Sequence, residues 1–216
     1  MNKEKNIAAL FDFDGVVVDT EPQYTLFWDE MGKKYHPEIP DFGHHIKGQT
    51  LTQIYSQYFL CPEGIQSQIT EELLDFETRM HFDYIPGVVD FMKELREKGV
   101  KIAIVTSSND QKMANAYRAL PNLKSMVDAV ITADRVTHSK PHPECFLLGA
   151  NTLQIPVDGC IVFEDSFHGL EAGNRARMKV IGLATTNPAS TIEDKVCMVI
   201  PDFVGFSYEK MKSVLD

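Results

Sequence analysis

The sequence predicts a doubly wound α/β domain, a parallel sheet with helices on both faces, interrupted once by an all-helical insert. Three observations predict it. Short continuous apolar runs recur along the chain, each ends in small or polar residues, and each is followed by a helical pattern. Runs rich in Val and Ile without polar alternation suit strands buried on both faces, as in a parallel sheet. Strand alternating with helix then argues for βαβ units.

The first run, Ile7–Phe11, ends in Asp12-Phe13-Asp14-Gly15. From Thr20 to Ile85 no strand signal follows. Helices are expected instead at Pro22–Lys34, Thr50–Phe59 and Gly64–Met80, the first two joined by the turn-rich segment Tyr35–Gly48 with its prolines and glycines. Tyr84-Ile85-Pro86-Gly87 marks the return to the α/β pattern. Val88, Phe91, Met92 and Leu95 fall at helical spacing, and Gly99 is a natural stop for a helix over Val88–Lys98. Further strands are expected at Val100–Val105, Ala129–Thr132, Cys160–Phe163 and Lys179–Ala184, the last closing the series. Helices are expected at Asp110–Leu120, Pro143–Leu153 and Ser166–Ala176. The division that results is an α/β core over 1–20 and 86–216 with a helical module over 21–85.

A chain of 216 residues suits one large domain or two small ones. With 44% hydrophobic and 24% charged residues it has the composition of a soluble globular protein. No apolar run approaches the ~20 residues needed to cross a bilayer. The first residues lack the apolar stretch and cleavage site of a secretion signal, so a cytoplasmic location is expected. Cys61, Cys145, Cys160 and Cys197 are scattered without a Cys-x-x-Cys pair, and are expected to be thiols rather than disulfides or zinc ligands. A net charge of −10 disfavours nucleic acid as a partner. No membrane partner is expected, and an acidic surface with no apolar stripe left over suits a monomer.

Four strand ends carry chemistry. In a parallel sheet with right-handed crossovers they face one edge, where open α/β sheets bind ligands. The first is Asp12 and Asp14: two crowded acids repel, which invites a divalent cation or a shared proton. The second is Thr106-Ser107-Ser108-Asn109, whose hydroxyls and amides could hold an anion or simply cap the next helix. The third is Lys140 in Ser139-Lys140-Pro141-His142-Pro143, a compact charge on a stretch kept extended by proline, or else a solvated loop lysine. The fourth is Glu164-Asp165, costly at the end of a buried strand unless neutralised. The set balances itself: acids at two ends can hold Mg²⁺, and hydroxyls, amides and a lysine at the others can hold a phosphoryl group. A Ca²⁺ loop of EF-hand type fails at Val16 and Val17.

In this order of motifs the chain resembles the haloacid dehalogenase-like hydrolase superfamily. The pattern Asp-x-Asp-Gly, Thr, Lys, acidic pair is matched by Asp12–Gly15, Thr106, Lys140 and Glu164/Asp165. The resemblance implies a Rossmann-like core with residues 21–85 as an inserted helical cap, similar to the subgroup of β-phosphoglucomutase and small sugar-phosphate phosphatases. It implies that Asp12 attacks phosphorus to form an aspartyl-phosphate and that Asp14 acts as general acid and base. Mg²⁺ would be held by Asp12, the Asp14 carbonyl and Asp165, with Glu164 in direct or water-bridged support. Thr106, Ser107 and Lys140 would bind the phosphoryl oxygens, with Ser108 and Asn109 as second contributors.

The departures from the subgroup also carry weight. Tyr24 stands where the mutase has a histidine, Leu51 lies near the place of a cap arginine, and Asp19-Thr20-Glu21-Pro22 looks like the phosphatases. The leading reading is therefore a phosphatase acting on a small phosphorylated metabolite, a sugar or polyol phosphate. The alternatives are a β-phosphoglucomutase-like isomerase and a non-enzymatic binding module on the same fold. Asp14 argues against a carbon–halogen substrate, which has no alkoxide to protonate. Lys47 is the only candidate near a cap loop for the Schiff-base lysine of the phosphonate-cleaving relatives; otherwise it contacts a substrate's distal polar groups or is merely solvated. Substrate contacts in the helical module are expected among His45, Lys47, Gly48 and Gln49, with Phe42 and His44 as further candidates by position.

Overall fold

The structure is a computed structural model that describes residues 6–60 and 64–215, so Cys61 lies outside the described residues. The strands in chain order are β1 (Ala8–Phe11), β2 (Lys101–Val105), β3 (Ala129–Ile131), β4 (Cys160–Glu164), β5 (Lys179–Leu183) and β6 (Met198–Ile200). They form one sheet in the order β3-β2-β1-β4-β5-β6, and every pairing is parallel. β1 is central, with Leu10 opposite Ala103 on one side and Val162 on the other. The chain order along the sheet reverses at β1, which makes the carboxyl ends of β1, β2 and β4 the place for a ligand.

Successive residues of a strand point to opposite faces, and the core divides accordingly. Ala9 and Phe11 face one cluster with Ile104 and Phe163, while Ala8 and Leu10 face the other with Val105 and Val162. Phe11 stacks on Phe163 with ring centroids 4.5 Å apart, and Phe91 and Phe203 close over them. The strand runs are continuous in apolar residues because both faces are covered.

Helices α1 (Glu21–Tyr35), α2 (Phe42–His45), α3 (Leu51–Tyr58) and α4 (Ile65–Arg79) fall between β1 and the next core helix. They bury a separate apolar cluster that includes Phe27, Trp28, Met31, Ile54, Ile69 and Leu73. Two chain segments connect this layer to the sheet, bound to each other by Asp19 N–H to Asp83 O at 2.8 Å and Ile85 N–H to Val17 O at 3.0 Å. Thr50 caps α3 with a reciprocal bond to Gln53, so the predicted helix starts where its cap predicts. α5 (Val88–Glu97), α6 (Asp110–Ala119), α7 (Leu123–Met126), α8 (Glu144–Leu153), α9 (Phe167–Arg175), α10 (Ala189–Ile192) and α11 (Tyr208–Lys212) complete the chain.

The strand series does not close at Lys179–Ala184. β6 adds an edge strand, with Gly182 opposite Val199. β6 is as short as β3, but no long helix follows it as α8 follows β3, so the strand-then-helix rhythm does not mark it. No helix among the described residues is long and apolar enough to cross a membrane. Cys145, Cys160 and Cys197 are free thiols.

Candidate active site

Asp12 directly follows β1, and its N–H donates to Phe163 O at 2.9 Å, which ties this strand end to β4. The chain then turns at Gly15, whose φ of +74° is left-handed. A side chain there would run into the Asp165 carboxylate, so the turn and the fourth motif need the same glycine.

Lys140 reaches the same point from the loop before α8. It is 3% exposed, and its Nζ donates to Asp12 Oδ1 at 2.8 Å, Glu164 Oε1 at 2.6 Å and Val105 O at 3.1 Å. An ammonium has three protons to give, and all three find acceptors. Burial works against its charge, but Asp12 and Glu164 outweigh that and raise its pKa above the usual lysine range. Glu164, at the end of β4, is wholly buried; its Oε2 accepts the N–H of Asp165 and Ser166 and the Ser166 hydroxyl. Gly169 in α9 leaves the space its carboxylate fills.

Asp12, Glu164 and Asp165 present oxygens that all lie within 4.8 Å of one another. Burial pushes Asp12 up to about 7 against the pull of Lys140, and burial with the neighbouring Glu164 raises Asp165 well above the carboxylate range. Asp165 Oδ1 is buried without a hydrogen-bond partner. An excess of buried acid with an orphaned carboxylate oxygen fits a hard divalent cation with oxygen ligands, such as Mg²⁺.

Asp14 sits in a different environment. Lys112 Nζ lies 2.6 Å from each of its carboxylate oxygens, Ser108 Oγ donates to Oδ2 at 2.8 Å, and Thr20 Oγ1 donates to Oδ1. Burial raises its pKa, but Lys112 and these hydroxyls outweigh it and hold Asp14 below the usual carboxylate range. Lys112 is buried in the first turn of α6 and also lies 4.1 Å from the centre of the Tyr24 ring. The Tyr24 hydroxyl donates to Glu77 Oε1 at 2.8 Å, which brings α1 and α4 to the site.

Within the second motif the roles divide. Asn109 accepts Lys112 N–H at 2.9 Å and caps α6, while the Ser108 hydroxyl is engaged by Asp14. Thr106 Oγ1 accepts Ser108 N–H at 3.0 Å and shapes the loop on which Ser107 lies.

A cavity of about 290 Å³ opens on this assembly. Asp12, Asp14, Thr106, Ser107, Ser108, Asn109, Lys140 and Asp165 line it from the sheet edge, and Lys47, Gly48 and Gln49 line it from the helical layer. Glu164 lies behind Lys140 and does not line it. His45 does not either: α2 turns it to solvent, with Nδ1 3.2 Å from Asp41 O. His44 is likewise exposed, and Phe42 is buried in the helical layer against His36. Of the positions expected to contact a substrate, Lys47, Gly48 and Gln49 line the cavity, whereas Phe42, His44 and His45 do not.

Sequence reasoning did not find Lys112, Thr20, Glu21 and Glu77. Lys112 left a readable signal. A lysine in the first turn of a helix opposes the helix dipole, so it calls for an anion nearby.

The family model for haloacid dehalogenase-like hydrolases matches residues 9–183. The chain belongs to that family. It is 32% identical over 209 residues to Protein SUPPRESSOR OF QUENCHING 1 of Arabidopsis thaliana, a match that covers 92% of this chain but only 20% of that protein. It is 29% identical over 185 residues to the phosphorylated carbohydrates phosphatase of Thermotoga maritima, covering 81% of this chain and 83% of the relative. Among solved structures, a family IA, variant 3 hydrolase of the same superfamily from Entamoeba histolytica superposes with a TM-score of 0.84. That match covers 97% of this chain and 99% of the other at 22% identity, a likeness of fold. The chain is an enzyme of the hydrolase family.

Proposed function

We propose that the chain is a Mg²⁺-dependent phosphomonoesterase acting on a small phosphorylated metabolite, with Asp12 as nucleophile. The observation that carries it is the convergence of Lys140 on Asp12 and Glu164 beside the orphaned Asp165 oxygen, at the floor of a cavity sized for a metabolite. The likeness to a phosphatase of phosphorylated carbohydrates supports the same reading.

Asp12, the Asp14 carbonyl and Asp165 would hold Mg²⁺. When bound, it supplies positive charge between the attacking carboxylate and the anionic substrate. Both oxygens of Glu164 are engaged by protein donors, so its part is to position Lys140 and the Asp165 turn. Phosphoryl transfer depends on in-line placement and charge neutralisation. Lys140, Thr106 and the Ser107 amide meet the second need, and the strand end at Asp12 meets the first. Asp12 bonds to phosphorus as the substrate's alkoxide leaves, and Asp14, having taken up a proton from solvent as the anionic substrate binds beside it, passes that proton to the alkoxide. Asp14 then accepts a proton from the water that frees phosphate from Asp12. The Lys112 pair holds Asp14 as the carboxylate this second step requires. Residues 21–85 would act as a cap that excludes bulk water during the first step.

The test is release of phosphate from p-nitrophenyl phosphate with Mg²⁺ and with chelator. Turnover that requires Mg²⁺ is expected. Equal activity in wild type and Asp12→Asn would overturn the reading.

A further inference from the structure

We propose that the part of the cavity under the helical layer is a binding subsite for an uncharged, hydroxyl-bearing tail, with Glu21, Lys47 and Gln49 as its specificity-determining residues. The inference rests on the phosphatase reading above and narrows its substrate class.

The argument begins with charge. The cationic side chains lining the cavity among the described residues are Lys47, Lys112 and Lys140. Lys140 is committed to Asp12 and Glu164 and Lys112 to Asp14, as already described. Lys47 Nζ lies 3.6 Å from Glu21 Oε2, with both side chains largely buried. Each ammonium thus has its counter-charge. Against them the lining carries six carboxylates: Asp12, Asp14, Glu21, Glu77, Asp134 and Asp165. A substrate's reacting phosphate is met by Lys140 and the metal site. A second phosphate or a carboxylate at the far end would find no uncommitted cation, and would lie close to Glu21 and Glu77 in a setting of weak screening.

Hydrogen-bond chemistry points the same way. Gln49 Nε2 lies 3.4 Å from His45 O, which fixes which end of the amide faces that carbonyl. Its Oε1 is buried with no partner, although the residue lines the cavity. A buried acceptor requires a donor. A hydroxyl can donate to it, whereas an ionised phosphate or carboxylate can only accept. Glu21 and Glu77 add further acceptors, so the subsite's chemistry is completed by O–H groups and opposed by anions.

The Glu21–Lys47 pair is the discriminator. With Glu21 ionised, Lys47 is neutralised and an anionic tail is rejected. With Glu21 made neutral, Lys47 becomes available to bind one.

The experiment uses substrate pairs matched in carbon skeleton that differ only in a terminal CH₂OH or carboxylate. One pair is glycerol 1-phosphate and 3-phosphoglycerate; the other is sorbitol 6-phosphate and 6-phosphogluconate. The wild type is expected to favour the alcohol of a pair by at least about tenfold in kcat/KM. Glu21→Gln is expected to narrow that ratio by raising turnover of the acid. Gln49→Leu is expected to narrow it by lowering turnover of the alcohol, and it stands as an independent variant should Glu21→Gln fold poorly. Equal turnover within both pairs, preference for the acids, or turnover of p-nitrophenyl phosphate alone would overturn the subsite. A wild type that cleaves no phosphate ester, p-nitrophenyl phosphate included, would instead overturn the phosphatase reading.

Discussion

Lys112 Nζ sits 2.6 Å from both carboxylate oxygens of Asp14, reaching it from a helix 98 positions further along the chain. Asp12, two residues earlier, is paired with a different lysine from a different loop. The two aspartates of one short motif therefore carry separate counter-charges. Asp12 is pushed upward to about 7, chiefly by burial, while Asp14 is held low because Lys112 outweighs its burial. Two acids so placed can play different roles in one reaction.

Replacing Lys112 tests this division. Without the ammonium, the Asp14 carboxylate loses its favoured state and its pKa rises. In Lys112→Met the acidic limb of the pH–rate profile is expected to move to higher pH, and kcat to fall by about 10²-fold or more. A limb that stays in place would mean that the pair only supports the fold.

Gln53 ties the helical layer to the loop that carries Lys140. Its Nε2 donates to Lys140 O at 2.9 Å, and its Oε1 accepts Thr50 N–H at 2.8 Å to complete the α3 cap. Gln53→Ala is expected to cost about 1 kcal/mol in a urea titration. It is also expected to raise KM more than it lowers kcat, since the contact positions the layer over the site rather than touching the reacting atoms. An unchanged KM would contradict this.

Asp128 offers a pH test away from the site. Burial raises its pKa, but the Ile102 N–H at 2.9 Å and Lys101 at 3.0 Å prevail and lower it. A carboxyl lowered on folding stabilises the protein above its unfolded pKa and loses that contribution as pH falls through the folded value. Asp128→Asn is thus expected to lower Tm at neutral pH, with the gap to wild type closing in acid below the usual carboxylate range. A gap that is constant with pH would show that the ionic state is irrelevant.

What could be read in advance follows from where the information lies. β1, β2, β4 and β5 announce themselves as apolar runs because a central parallel strand needs apolar residues on both faces. The acids at the ends of β1 and β4 were legible for the same reason, since parallel topology gathers their termini. Lys140, by contrast, lies beyond β3 in the loop before α8 and reaches the site through that loop's path. Lys112, Tyr24 and Glu77 lie on helices, where pointing toward the sheet edge depends on how the helix packs rather than on neighbours in sequence. His45 failed in the converse way. It lies in a turn-rich segment two residues before Lys47, and only the short helix α2 decides that it faces solvent while Lys47 faces the cavity. β6, no shorter than the predicted β3, was missed because only the five-residue α11 follows it and no long helical pattern sets it off.

The most direct measurement is acid quench of the enzyme during turnover with Mg²⁺, followed by peptide mapping by mass spectrometry. A single phosphoryl group on the peptide that carries Asp12, absent in Asp12→Asn, is the predicted result. Continued turnover with no phosphorylated peptide, or with the group on another residue, would contradict it.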